Sequence, residues 1–294
     1  MTDAKTTALT LLALVAFASN SLLTRLALGT HQIDAASFTA IRLVAGAVML
    51  IALVAAQDRS WSAMKGTSVA GPLALFAYAA PFSFAYLRIG AAVGALVLFG
   101  VVQLTMIGYG IARGERPSAT IWLGLVLAAA GLALLTVPSV TRPDPLGVLL
   151  MAIAGVAWAV YTLVGRGTTN PIAANARSFF WSSPLAIALV FFVIGARGDA
   201  PPTAQGIVLA LVSGAVTSGL GYAIWYRALP SLTVTQAAVA QLSVPVIAAL
   251  GAVAVLGEAI SSRLVVAGVL VLSGVGLVLS ARARQPRVER STRA

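Results

Sequence analysis

Polar and apolar positions in this chain alternate in long blocks rather than short periods. Uncharged windows run over 6–24, 66–87, 89–112, 117–141, 145–165, 178–196, 200–226, 228–257 and 264–281. Each is long enough for an α-helix to cross roughly 30 Å of hydrocarbon at about 1.5 Å per residue. A further apolar stretch, 35–57, is broken only by Arg42 near its start. The pattern therefore predicts ten transmembrane helices, near 8–28, 35–56, 68–87, 90–112, 118–137, 146–165, 173–196, 205–226, 232–256 and 262–281. The ten-residue alternation of a membrane β-barrel is absent. The first window has no small-residue cleavage signal behind it and reads as a span, not a removable leader.

The chain also repeats itself. "GERPS" at Gly114 returns as "GEAIS" at Gly257, an offset of 143 residues. "FASNSLLTR" from Phe17 aligns with "WAVYTLVGR" from Trp158, and "FSFAY" from Phe82 with "YAIWY" from Tyr222, at offsets of 141 and 140. Three collinear matches at near-constant spacing predict a duplicated five-helix unit, 1–140 and 141–281, followed by a basic tail over 282–294. A unit with an odd number of spans ends on the opposite side from its start, so its copy is inverted. Inverted repeats are an architecture of secondary transporters, with the substrate site at the repeat interface near the midplane. Together these features predict an all-α polytopic membrane protein built around a central cavity.

Composition agrees. The chain is 60% hydrophobic and 9% charged, with mean hydropathy +0.97, whereas soluble domains carry about 25% charged residues. The net charge of +11 reflects membrane topology rather than nucleic acid, because five Arg lie in the tail and the others flank helices. With both termini cytoplasmic, thirteen of the nineteen Lys and Arg fall inside and six outside. This favours an inner-membrane protein with both ends inside. Cysteine is absent, which removes disulfides, thiolate metal sites and thiol nucleophiles.

The eight acids include none in mid-helix, and the single His31 lies in a loop. That weakens proton coupling through a membrane carboxylate, and it weakens hydrolytic chemistry. No phosphate-binding G-x-x-x-x-G-K-[ST] loop is present. The expectation is a non-enzyme without metal, cofactor or ATP, partnered by the bilayer and a small-molecule substrate, with a monomer plausible. Glu115 and Glu258 close helices four and nine. They read either as gates paired with Arg or as carboxylates accepting N–H groups of the helix that follows, and the second reading is favoured because Ser118 and Ser261 recur at the same spacing. Arg42 and Arg177, in the first turns of helices two and seven, read as snorkelling cations in preference to ligands for a substrate carboxylate.

Polar groups within spans are more informative, since lipid offers them no partners. Asn20, Gln103, Gln236 and Gln241 are candidate cavity amides, with interhelical adhesion as the alternative. Trp61 and Trp122 lie near span ends, as interface aromatics do. Tyr78, Phe82, Trp158, Tyr161, Trp181, Tyr222 and Trp225 lie inside spans; all but Trp225 are candidate stacking surfaces for a substrate with a flat apolar part and a polar part. Pro81, Pro184 and Pro245 interrupt helices three, seven and nine, where each removes a hydrogen bond and permits a hinge.

"RGERPS" and "LGEAIS", "AIRLVAGAV" in helix two and "QLSVPVIAALGAVAVLGE" along helix nine resemble the drug/metabolite transporter superfamily, in its EamA-type ten-helix branch. Two such repeats would cover about 8–138 and 146–281. Within that superfamily the chain looks most like the YddG-type exporters of aromatic and neutral amino acids. The resemblance implies two inverted five-helix units around a cavity lined by helices three, four, eight and nine. Val102 and Gln103 stand where the second unit has Pro245 and Val246, which breaks the symmetry and leaves Gln103 as a candidate contact. The implied activity is export of small amphipathic metabolites by alternating access. Cationic drugs and phosphorylated metabolites are the alternative cargoes.

Overall fold

A computed structural model of the chain describes residues 4–57, 68–89, 91–137, 144–197, 201–256 and 260–281. Among the described residues the regular structure is all helical, in the order α1 (Ala4–Gly29), α2 (Ala35–Ala56), α3 (Ala70–Tyr86), α4 (Ala91–Ala112), α5 (Ala119–Thr136), α6 (Pro145–Arg166), α7 (Pro171–Arg197), α8 (Ala204–Val212), α9 (Gly221–Ala228), α10 (Val234–Ala240), α11 (Val244–Leu256) and α12 (Ser262–Ser280). A π-helical segment, Ser213–Leu220, joins α8 to α9, and a 3-10 turn, Gln241–Ser243, joins α10 to α11. Among the described residues, nine stretches are long and apolar enough to cross a membrane. The segment expected as a tenth span corresponds to α3, which has only 17 residues and is about 26 Å long.

Side-chain oxygens start most of these helices by accepting N–H bonds that the first turn leaves free. Asp34 caps α2 through Ser37, Ser118 caps α5 through Ile121, Asp144 caps α6 through Gly147, and Ser261 caps α12 through Leu264. Thr203 caps α8. Thr233 and Gln236 form a reciprocal capping box on α10.

The packing is tight where residues are small. The main contacts are α5 on α12, α2 on α7, α3 on α6, and α1 on the rod made by α8, the π segment and α9. A methyl on Gly124 would sit 2.6 Å from the Gly274 carbonyl oxygen, and one on Gly131 would sit 2.8 Å from that of Ala267. A methyl on Gly214 would approach the Arg42 carbonyl oxygen to 2.2 Å. Close backbone approach of this kind replaces the hydrophobic driving force that lipid cannot supply.

Of the three prolines, one breaks its helix. Pro245 has no N–H for the Gln241 carbonyl, which instead accepts from Val244 in a 3-10 bond, and the rod splits into α10 and α11. Pro81 and Pro184 lie inside the continuous helices α3 and α7. Trp122 is exposed near the start of α5, as an interface aromatic would be. Trp61, Glu258 and the basic tail lie outside the described residues.

Candidate functional site

Aromatic side chains from four rods meet at the centre of the bundle. Phe17 on α1 makes edge contacts with Trp158 on α6 and with Tyr222 and Trp225 on α9, at 5.2, 5.6 and 5.6 Å between ring centroids. Tyr78 on α3 packs on Trp158 at 4.8 Å and on Phe82 at 5.3 Å. The rings enclose a void of about 20 Å³ that Asn20 and Gln241 also line, enough for about one water. Gln241 accepts from the Trp158 indole N–H and donates to the Ala237 carbonyl. Its position on the 3-10 turn follows from the Pro245 break. Asn20 accepts from Ser213 at 2.7 Å and from Thr217 at 3.4 Å.

This void shares Ser21, Phe82, Leu98, Phe99 and Val244 with a larger, half-open cavity of about 180 Å³. The larger cavity extends past Tyr86, Arg25 and Pro245 to the end of the bundle where α1 and α3 finish. For scale, an apolar cavity near 150 Å³ accommodates benzene. The vestibule therefore has room for an aromatic ring, and the inner void has room for a small polar substituent.

The opposite end is packed shut. Gly114, at φ 89°, ends α4 in a left-handed turn in which Gly114 N–H bonds Ile111 O and Glu115 N–H bonds Gly110 O. That turn aims Glu115 across the bundle. Its carboxylate accepts from Val234 N–H at 2.7 Å, Thr235 N–H at 3.1 Å and the Thr235 hydroxyl at 2.8 Å. The expectation that Glu115 caps the helix following it is thus corrected. Ser118 does that, and Glu115 caps α10. Arg166 lies close enough to feel the Glu115 charge. Tyr226 closes the same end by packing on Gly165 and donating to the Tyr161 carbonyl at 2.8 Å.

Arg42 overturns the snorkelling expectation. It is 1% exposed, with Nε donating to Ser218 at 2.9 Å and Nη2 to the Tyr222 hydroxyl at 2.6 Å. The aromatic wall and the apolar face of α2 leave it no route to water. Arg177 is half-buried, and its Nε has no hydrogen-bond partner. Outside the membrane spans, the Gly147 N–H and Arg88 hold the Asp144 carboxyl below its usual range. Arg88 and Asp144 are 3.1 Å apart at the vestibule end.

Of the expected site residues, Asn20, Tyr78, Phe82, Trp158, Tyr222 and Gln241 border the central void. Gln103 spans the interface, donating to the Ala238 carbonyl at 2.7 Å with its own oxygen buried and unpartnered. Tyr161 is buried, donating to Asn175. Two residues lie elsewhere. Trp181 is 58% exposed on the outer surface of α7, edge-on to Phe180. Gln236 serves the α10 cap and reaches the carbonyls of Val278 and Ala281. The π segment was not foreseen. Its signal was the small polar run "SGAVTSG" inside an apolar span, which supplies the partners of both Asn20 and Arg42.

The profile of the EamA-like transporter family matches residues 145–280. The uncharacterized protein PA1977 of Pseudomonas aeruginosa is 45% identical over 100% of this chain and 99% of its own. The uncharacterized transporter YwfM of Bacillus subtilis is 26% identical over 89% of each chain. An uncharacterized transporter of Archaeoglobus fulgidus is 23% identical over 81% of this chain and 86% of its own. One solved crystal structure, 21% identical, superposes with TM-score 0.80 over 96% of this chain and 99% of its own, so the fold is shared.

Proposed function

We propose that the chain is a transporter of the EamA-like family, whose profile matches residues 145–280, and that this multi-pass membrane protein exports small amphipathic metabolites, aromatic or neutral amino acids, by alternating access. The observation that carries this reading is the aromatic and amide void opening into a ring-sized vestibule. Tyr78, Phe82, Trp158 and Tyr222 supply faces for a flat apolar group, and Asn20 and Gln241 supply polar contacts. No described helix contains an Asp or Glu, which disfavours a cationic cargo and supports facilitated or weakly coupled flux.

The same arrangement supports alternating access. Residues 1–140 and 141–281 are two inverted units, with α3 completing the first set of five spans. Support comes from the contact of α5 with α12. The 143-residue offset relates Gly124 to Ala267 and Gly131 to Gly274, and Gly124 touches Gly274 while Gly131 touches Ala267. Reciprocal contacts are what a pseudo-two-fold axis generates. One end is open at Tyr86 and the equivalent end is shut at Tyr226, so exchanging the two units' conformations gives the opposite state. The positive-inside count supports cytoplasmic termini and an inner-membrane location.

A counterflow screen in proteoliposomes, loaded in turn with amino acids, quaternary cations and sugar phosphates, tests the cargo class. Exchange of labelled Phe or Trp is expected. Exchange of a quaternary cation without either amino acid would reject it.

A further inference from the structure

Arg42 poses an electrostatic problem that the described residues alone do not solve. Its guanidinium lies about seven residues into α2 and is 1% exposed. Nε and Nη2 are bonded to hydroxyls, and Nη1 is buried with no hydrogen-bond partner. Its Cζ is 5.5 Å from the centroid of Tyr78 and 6.0 Å from that of Phe82. No carboxylate is within the described helices to neutralise it. Hydroxyls and ring faces offset part of the cost of burying a cation, and an anion would offset the remainder.

We propose that Arg42 is the carboxylate-receiving group of the central site, so that the cargo is an apolar acid, aromatic or aliphatic, whose apolar part lies against the site's rings and whose carboxylate meets the guanidinium. This deepens the reading of the void as a substrate site and rests on it. Tyr78, Phe82 and Tyr222 face the void on one side and the guanidinium on the other. A ring seated in the vestibule directs its substituent toward that wall, and rotation of Tyr222 or Tyr78 admits it to Nη1. The void holds about one water and must widen less for a planar carboxylate, matched to the guanidinium fork, than for a tetrahedral phosphate. A lipid headgroup is excluded as the anion. The outer groove between α2, α7 and α8 is lined by Ala, Val, Ile, Leu and Met alone, and Arg42 does not surface in it.

The test is equilibrium binding to the purified full chain, read by tryptophan fluorescence, with phenylacetate, phenylacetamide, phenethylamine and ring-free hexanoate. Wild type is expected to bind phenylacetate about 30-fold more tightly than phenylacetamide, as a charge-assisted bidentate contact requires, and to reject phenethylamine. Arg42→Gln erases the preference, and Arg42→Lys keeps part of it. Equal binding of acid and amide by wild type, or an undiminished preference in Arg42→Gln, overturns the proposal. If Arg42→Gln does not fold, the wild-type ratio and Arg42→Lys decide. Hexanoate binding that depends on Arg42, with no ring compound bound, would sink the aromatic-cargo reading and leave this inference standing. Failure of every carboxylate to bind would sink this inference.

Discussion

Replacing Glu115 by Gln perturbs the closed end at one atom group. The carboxylate holds three donors of α10, Val234 N–H, Thr235 N–H and the Thr235 hydroxyl. It also places a negative charge at that helix's N-terminus. Gln keeps one acceptor oxygen and turns an NH2 toward N–H donors. Hydrogen bonds to charged groups contribute about 1.5–3 kcal/mol against about 0.5–1.5 for neutral ones, and the helix-terminus charge adds about 0.3–1. Taking about 2 kcal/mol as the loss, the ratio of shut to open at this end falls about 30-fold. The chain has no cysteine, so one introduced in place of Met106, which is 1% exposed beside Gln241, reports opening. Its labelling by a membrane-impermeant maleimide from the Glu115 end should accelerate about 30-fold. A second reporter at Ala95 in the vestibule should slow, because opening one end closes the other. Simple loosening of the fold would speed both. Unchanged labelling at Met106→Cys, or acceleration at both sites, refutes the latch.

Three further outcomes are expected. Gly214→Ala pushes a methyl into the Arg42 carbonyl and should cost about 1–3 kcal/mol in detergent unfolding, while Gly276→Ala, with nothing within 4 Å, should not lower the midpoint, since Ala is the better helix former. Asn20→Ala strands the buried Ser213 hydroxyl, while Thr217 keeps its bond to the Ser213 carbonyl, and should cost about 1–3 kcal/mol; a neutral result would mean water replaces the amide. Asp144, depressed by the Gly147 N–H and Arg88, contributes stability that is present above its ordinary value near about 4 and is lost as the pH falls through its lower folded value. Asp144→Asn should therefore melt below wild type at neutral pH and converge with it in acid, and a pH-independent difference would contradict that origin.

Much of this was legible in the residues themselves. The spans follow from block hydrophobicity alone, and the central amides and aromatics stood out because lipid gives polar groups no partner. Asn20, Trp158 and Gln241 were identified for that reason and do meet. What failed was direction around a helix axis. Trp181 faces outward and Tyr161 inward on adjacent helices, and no moment distinguishes the faces when nearly every neighbour is apolar. Gln236 looked like a mid-span amide because the rod's start was placed two residues early; at the third position of α10 it is a cap. Partners distant in sequence were also hidden. Nothing local to Glu115 announces Val234, and nothing local to Arg42 announces Ser218 on a π segment whose widening depends on Gly214 and Gly221 letting α2 and α1 approach.

The central claim is that cargo sits against the rings and amides between α1, α3, α6, α9 and α10. Counterflow of labelled Phe should be lost in Trp158→Ala and weakened in Gln241→Ala, and should match wild type in Trp181→Ala. Full exchange by Trp158→Ala together with loss in Trp181→Ala would place the site on the outer face of α7 and contradict the account.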